Sequence, residues 1–119
     1  MGDQRMKAEK EFIKLETKDY NFKIVNIGDE VVAPSYVYRI IELATELGNL
    51  KYNFFAGQLT SLLIVFGYEV DEEGYINFEN DIQDVKGFEF IAHAYYVPNT
   101  KDSTKPDNLK LSNFRKVLC

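Results

Sequence analysis

The chain is poor in the residues that do most protein chemistry. Its 119 residues include one histidine, His93, one cysteine, Cys119, no tryptophan and three prolines. A single cysteine excludes an internal disulfide and, with it, the disulfide-stapled secreted scaffolds. One histidine and one terminal cysteine leave few candidates for general-base or thiolate chemistry. Phosphate-cradling glycine loops, G-x-G-x-x-G, H-E-x-x-H and G-x-S-x-G are all missing. The longest apolar run, Leu62 to Phe66, is far short of the about 20 residues a membrane helix needs. Residues 1–14 alternate Lys and Glu without an apolar stretch and do not read as a signal peptide. These absences point to a cytoplasmic, non-enzymatic module with no cofactor, no metal and no membrane association.

What is present suits one folded domain over 1–119. Hydrophobic residues make up 45% and aromatic residues 14%, enough for a core at this length. The net charge is −5, and it is polarised. Between Glu69 and Glu89 eight carboxylates face only Lys86. From Ala94 onward the balance reverses, with Lys101, Lys105, Lys110, Arg115 and Lys116 against Asp102 and Asp107. Overall acidity argues against unspecific duplex binding, where phosphate neutralisation dominates. It leaves room for a small basic face at the C-terminal end.

Pattern reading predicts an α+β fold: a small curved sheet or pseudo-barrel with one well-defined amphipathic helix. Phe22 to Val25 reads as a strand, Gly28-Asp29 as a turn and Glu30 to Ala33 as a second strand. Ser35 caps an expected helix over Tyr36 to Leu47. There Val37, Ile40, Ile41, Ala44 and Leu47 recur at helical spacing, and Arg39, Glu42 and Glu46 fall on the solvent side. Residues 52–70 are ambiguous, since Phe55, Leu59, Leu62, Leu63 and Phe66 fit a helix while Ile64 to Val70 is β-rich. The reading adopted is helical from Phe54 to Ser61, a strand from Leu62 to Val70, a turn at Asp71 to Gly74 and a return strand at Tyr75 to Phe78. Residues 80–87 are a polar connection or short helix. Phe88 to Val97 is the best strand, with Glu89, Ile91, His93 and Tyr95 on one face and Phe88, Phe90, Ala92, Ala94 and Tyr96 on the other. Residues 99–108 read as a mobile loop, Leu109 to Leu111 as a short strand, and Ser112 as the cap of a last helical turn from Asn113 to Leu118. Residues 1–10 are expected to fray.

Three groups of residues invite a functional reading. The acidic stretch lacks the spacing of a calcium loop and reads instead as a solvated hairpin tip. His93 has Glu89 nearby but no serine or cysteine nucleophile next to it in sequence. The eight tyrosines, with Phe54 and Phe55, supply amphipathic rings that can stack on unpaired bases or anchor a protein interface. With Tyr95, the basic residues Lys101, Lys105, Lys110, Arg115 and Lys116 form the candidate RNA-binding set. The alternative is a protein-interaction module that engages a host or plasmid protein through an aromatic and acidic surface.

Ile24-Val25-Asn26-Ile27-Gly28-Asp29-Glu30-Val31-Val32-Ala33 resembles the G-D-x-V strand corner of PUA and ASCH-type domains. Over nearly its full length, and most around Gly28 to Pro34 and Phe88 to Val97, the chain resembles the PrgU-like small regulatory proteins of Gram-positive conjugative plasmids. That resemblance implies a PUA-like fold and a regulatory role, limiting expression of plasmid or conjugation genes through RNA. It carries over no individual site residue.

Overall fold

A computed structural model describes residues 15–98 and 107–117. The expected fraying of residues 1–10, the loop positions 99–106, Lys101, Lys105 and Cys119 lie outside the described residues. Five strands form one antiparallel sheet: β1 (Lys18–Val32), β2 (Val37–Thr45), β3 (Gly48–Phe55), β4 (Glu89–Val97) and β5 (Asn108–Lys116). Their order across the sheet is β3-β2-β1-β4-β5. One helix, α1 (Ala56–Val65), follows β3, and a 3-10 turn, Ile82–Val85, precedes β4. The α+β class holds. The sheet is curled but not closed: β3 and β5 remain its two edges.

Four expectations give way. The stretch read as a helix over Tyr36 to Leu47 is strand β2. Its apolar residues satisfy both periods, but only the period of two buries the right ones. Ile41 and Leu43 are fully buried, while Ile40, central to the helical stripe, is 40% exposed. Val37, Tyr38, Ile40, Ile41 and Thr45 are the β-branched and aromatic types that fit a pleated surface. Second, the domain's helix is α1, and it absorbs part of the expected strand from Leu62 to Val70. Leu59, Leu62 and Leu63 are buried on one side of it. Gly67, at φ 101°, stops it: the Gly67 amide donates to Ile64 O and the Tyr68 amide to Leu63 O, the double closure of a Schellman motif. Val70 and Ile76 then meet in a single bridge rather than a hairpin ladder.

Third, Gly28-Asp29 is no turn between strands. It is a bulge within the continuous β1, where the pairing with β2 slips between Ile27 and Glu30. The backbones are close there, and a β-carbon on Gly28 would sit 2.7 Å from the Ile40 carbonyl oxygen. Last, the expected turn from Asn113 to Leu118 is strand as far as Lys116. It contains a bulge of its own, between the His93–Ser112 and Ile91–Arg115 pairs, with Asn113 at φ 55°. Asparagine is among the few residues that visit this region readily. The bulge turns Phe114 inward and leaves Arg115 on the outer face.

The core lies between the concave sheet face and α1. Phe90 is its hub, with its ring 5.4 Å from Phe22, 5.8 Å from Phe114, 6.1 Å from Phe66 and 6.5 Å from Phe54. The two open edges are joined by side chains instead of a ladder. The Leu111 amide donates to the buried Tyr52 hydroxyl at 3.1 Å. Gln58, on the first turn of α1, donates to that same hydroxyl at 3.0 Å and to Leu111 O at 3.4 Å. Burial pushes the Tyr52 phenol above its ordinary pKa, against the opposing effect of these two bonds.

Two substitutions test this construction by chemical denaturation. Gly28→Ala forces two backbones apart and lowers stability by about 1–3 kcal/mol. Tyr52→Phe strands the Leu111 amide without an acceptor and costs about 1–3 kcal/mol. Because the folded state holds the Tyr52 proton more tightly, its contribution is complete below about pH 10 and fades as pH rises through the folded value. The wild type therefore loses part of its margin over Tyr52→Phe in strong alkali.

Candidate functional site

Cross-strand register decides which residues share the outer face. Asp19 pairs with His93, and His93 with Ser112, across three adjacent strands. Glu89, Ile91, His93 and Tyr95 do lie together, opposite the buried Phe90, Ala92 and Ala94. Tyr95 pairs with Lys110, which places two of the sequence-selected residues side by side. The His93 and Tyr95 rings stack with centroids 6.1 Å apart.

Arg115 reaches this face but is committed. Its Nη2 donates to Asp19 Oδ2 at 2.6 Å, and His93 Nδ1 lies 2.8 Å from Asp19 Oδ1. The carboxylate accepts both, which fixes the imidazole proton on Nδ1. These two bonds, Arg115 first, hold the Asp19 carboxyl below the usual carboxylate range. Lys116 pairs with Phe90 at the far end of β5 and is exposed, away from Tyr95. Of the six candidate RNA-binding residues, Tyr95 and Lys110 are adjacent, Arg115 is ion-paired, Lys116 stands apart, and Lys101 and Lys105 lie outside the described residues.

The structure adds a cluster that the misread β2 concealed. Tyr36, Tyr38 and Phe55 form a triangle of rings with centroids 5.6–5.9 Å apart. Tyr36 is 50% exposed and Phe55 36%. Lys110 Nζ lies 5.8 Å from the centre of the Phe55 ring, across the gap between β5 and β3. A run of outer-face groups therefore extends from His93 and Tyr95, through Lys110, to Phe55, Tyr38 and Tyr36. Beneath it, between the two sheet edges, is a shallow groove of about 370 Å³ lined by Lys51, Tyr52, Asn53, Phe55, Asn108, Leu109 and Lys110. The sequence signal for this cluster was Tyr-x-Tyr ahead of Phe-Phe, but only the register Tyr38–Phe55 brings the two together.

The acidic segment is largely its own scaffold. Asp71 accepts from the Glu73 and Tyr75 amides and from Asn77 Nδ2. Asp81 accepts from the Gln83 amide, and Asp84 from the amide and side chain of Asn80. These bonds lower the pKa of Asp71 and Asp84. Among the described residues no cluster of three or more His, Cys, Asp or Glu is placed to hold a metal ion. No described helix is long and apolar enough to cross a membrane.

No protein-family model matches the chain, and no curated protein does. The site must therefore be read from its own geometry.

Asp19, Asp71 and Asp84 all have folded pKa values below the unfolded one. In acid the unfolded chain binds protons that the folded chain refuses. Their contribution is complete above about pH 4 and is lost as pH falls through the folded values. Melting temperature followed from pH 7 to pH 2 is expected to drop below about pH 4. Asp19→Asn is expected to melt lower at pH 7 and to lose less on acidification than the wild type.

Proposed function

We propose that the protein is a non-enzymatic regulatory module of PUA-like type that binds single-stranded RNA on the outer face of its sheet. The observation that carries this reading is the continuity of rings and cation from Tyr95 through Lys110 to Phe55, Tyr38 and Tyr36. Exposed aromatic faces accept unpaired bases of any identity, each worth about 1–3 kcal/mol. A lysine between two ring platforms is placed for a phosphate of the strand crossing from one to the other. The PUA-like part of the reading rests on the sequence resemblance at Gly28-Asp29, where β1 continues through a bulge instead of turning a corner. The resemblance to plasmid-borne regulators supplies the biological expectation: RNA binding in the cytoplasm that limits expression of conjugation genes.

The geometry also refines the electrostatics. Arg115 is already neutralised by Asp19, so the described cations near the rings are Lys110 and Lys51. Two phosphate contacts to a single strand give a slope of log K against log salt of about −1.4. Binding is then dominated by stacking and survives the acidic net charge.

Fluorescence anisotropy with a labelled unstructured RNA, measured at several salt concentrations, tests this. Phe55→Ala is expected to weaken binding by about 1–3 kcal/mol, and Tyr38→Ala by a similar amount. Lys110→Glu is expected to weaken it and flatten the salt slope, while Lys116→Glu changes little. Absence of binding at low salt, or equal binding by the Phe55→Ala protein, contradicts the reading and turns attention to a protein partner for the same aromatic surface.

A further inference from the structure

A second site lies toward the inner face of the sheet, among the ends of β1 and β2, the helix α1 and the residues Phe78 and Ile82. A cavity of about 200 Å³ is walled by Phe54, Leu59, Leu63, Phe78 and Ile82. Two charged residues, Glu30 and Arg39, also line it. The Gly28-Asp29 bulge makes them register partners on adjacent strands. They nevertheless form no ion pair: among the described residues the ion-paired Arg is Arg115, on Asp19, whose other oxygen is hydrogen-bonded to His93. Arg39 spends one donor on the Gly28 carbonyl, Nη1 to O at 3.0 Å, which pins the guanidinium at the bulge. Four N–H donors remain of the five a guanidinium carries. Glu30 has no side-chain partner among the described residues.

An open, mainly apolar pocket flanked by a pinned cation and an adjacent, solvent-exposed carboxylate without a side-chain partner is complementary to a zwitterion with an apolar tail. The volume is that of about seven waters at roughly 30 Å³ each, which suits one small molecule. We propose that this cavity binds a free apolar α-amino acid of about the size of leucine. Its carboxylate sits on the Arg39 fork, its ammonium faces Glu30, and its side chain lies against Leu59, Leu63 and Phe78. Fork-to-carboxylate pairing is the geometry for which arginine is suited. The apolar walls supply the remaining affinity and select against polar side chains. Tyr38 of the ring cluster also borders this site, but the proposal does not depend on the RNA reading.

The test is titration of the full chain, followed by amide chemical shifts, with three probes: L-leucine, 4-methylpentanoate, which lacks the ammonium, and 3-methylbutylamine, which lacks the carboxylate. Saturable shifts at Thr60, Leu63 and Arg39 are expected with leucine, and at least tenfold weaker binding with either single-charge analogue. Glu30→Gln is expected to remove the preference for leucine over 4-methylpentanoate. Arg39→Gln is expected to remove the preference for leucine over the amine. Should Arg39→Gln fail to fold, the comparison of the three probes on the wild type decides alone. No saturable shift with leucine, or equal affinity for all three probes, overturns the proposal.

Discussion

The hydroxyl of Tyr52 is the interaction on which the rest of this structure leans. A five-stranded sheet with the order β3-β2-β1-β4-β5 has two free edges, and its curl brings them toward each other without pairing them. Leu111 turns both its amide and its carbonyl into that gap. Tyr52 satisfies the first and Gln58 the second, so one side-chain rung replaces the missing ladder. Because Gln58 belongs to α1, the same rung docks the helix at the edge strands. A buried amide without an acceptor is costly, so the edges cannot drift apart cheaply. This contact also sets the distance from Lys110 to Phe55, and so the continuity of the outer face.

The bulges at Gly28-Asp29 and at Asn113 act on the faces of the sheet rather than on its edges. A strand alternates strictly, and one extra residue exchanges inside and outside from that point on. At Asn113 the exchange sends Phe114 into the aromatic core and Arg115 out to Asp19. At Gly28-Asp29 it aligns Glu30 with Arg39 over the apolar cavity. Each irregularity thus contributes one element of packing and one charged residue on a surface. Glycine is required at the first because the neighbouring carbonyl leaves no room for a side chain.

How much of this was legible in the sequence follows from where the deciding partners lie. β4 was readable because Phe88 to Val97 alternates cleanly, and its two faces were assigned as found. β2 was not, because Val37, Ile40, Ile41 and Ala44 satisfy a helix as well as a strand. The choice was made by Tyr52 and Leu50 of β3 and by Ile24 and Ile27 of β1, which need Ile41 and Leu43 beside them. The error carried a functional consequence, since a helix put Arg39 in solvent and hid the meeting of Tyr38 with Phe55. The pairing of Tyr95 with Lys110 was within reach once residues 109–111 were read as a strand. The capture of Arg115 by Asp19, 96 residues away, had no local signal at all. Helical spacing at Leu59, Leu62 and Leu63 was correctly noticed, but the β-branched tail Ile64-Val65 masked how far it ran.

On the proposed reading the outer face joins these points: an acidic protein presents rings with Lys110 and Lys51 where the sheet edges converge, and stacking more than charge would govern binding. The most direct measurement is a map of backbone amide shifts on adding a short unstructured RNA at moderate salt. The account predicts that the affected positions trace Tyr36, Tyr38, Phe55, Tyr95 and Lys110, with the buried Phe22 and Phe90 region undisturbed. Shifts confined to the acidic 69–89 segment, or none at any RNA concentration, would contradict it.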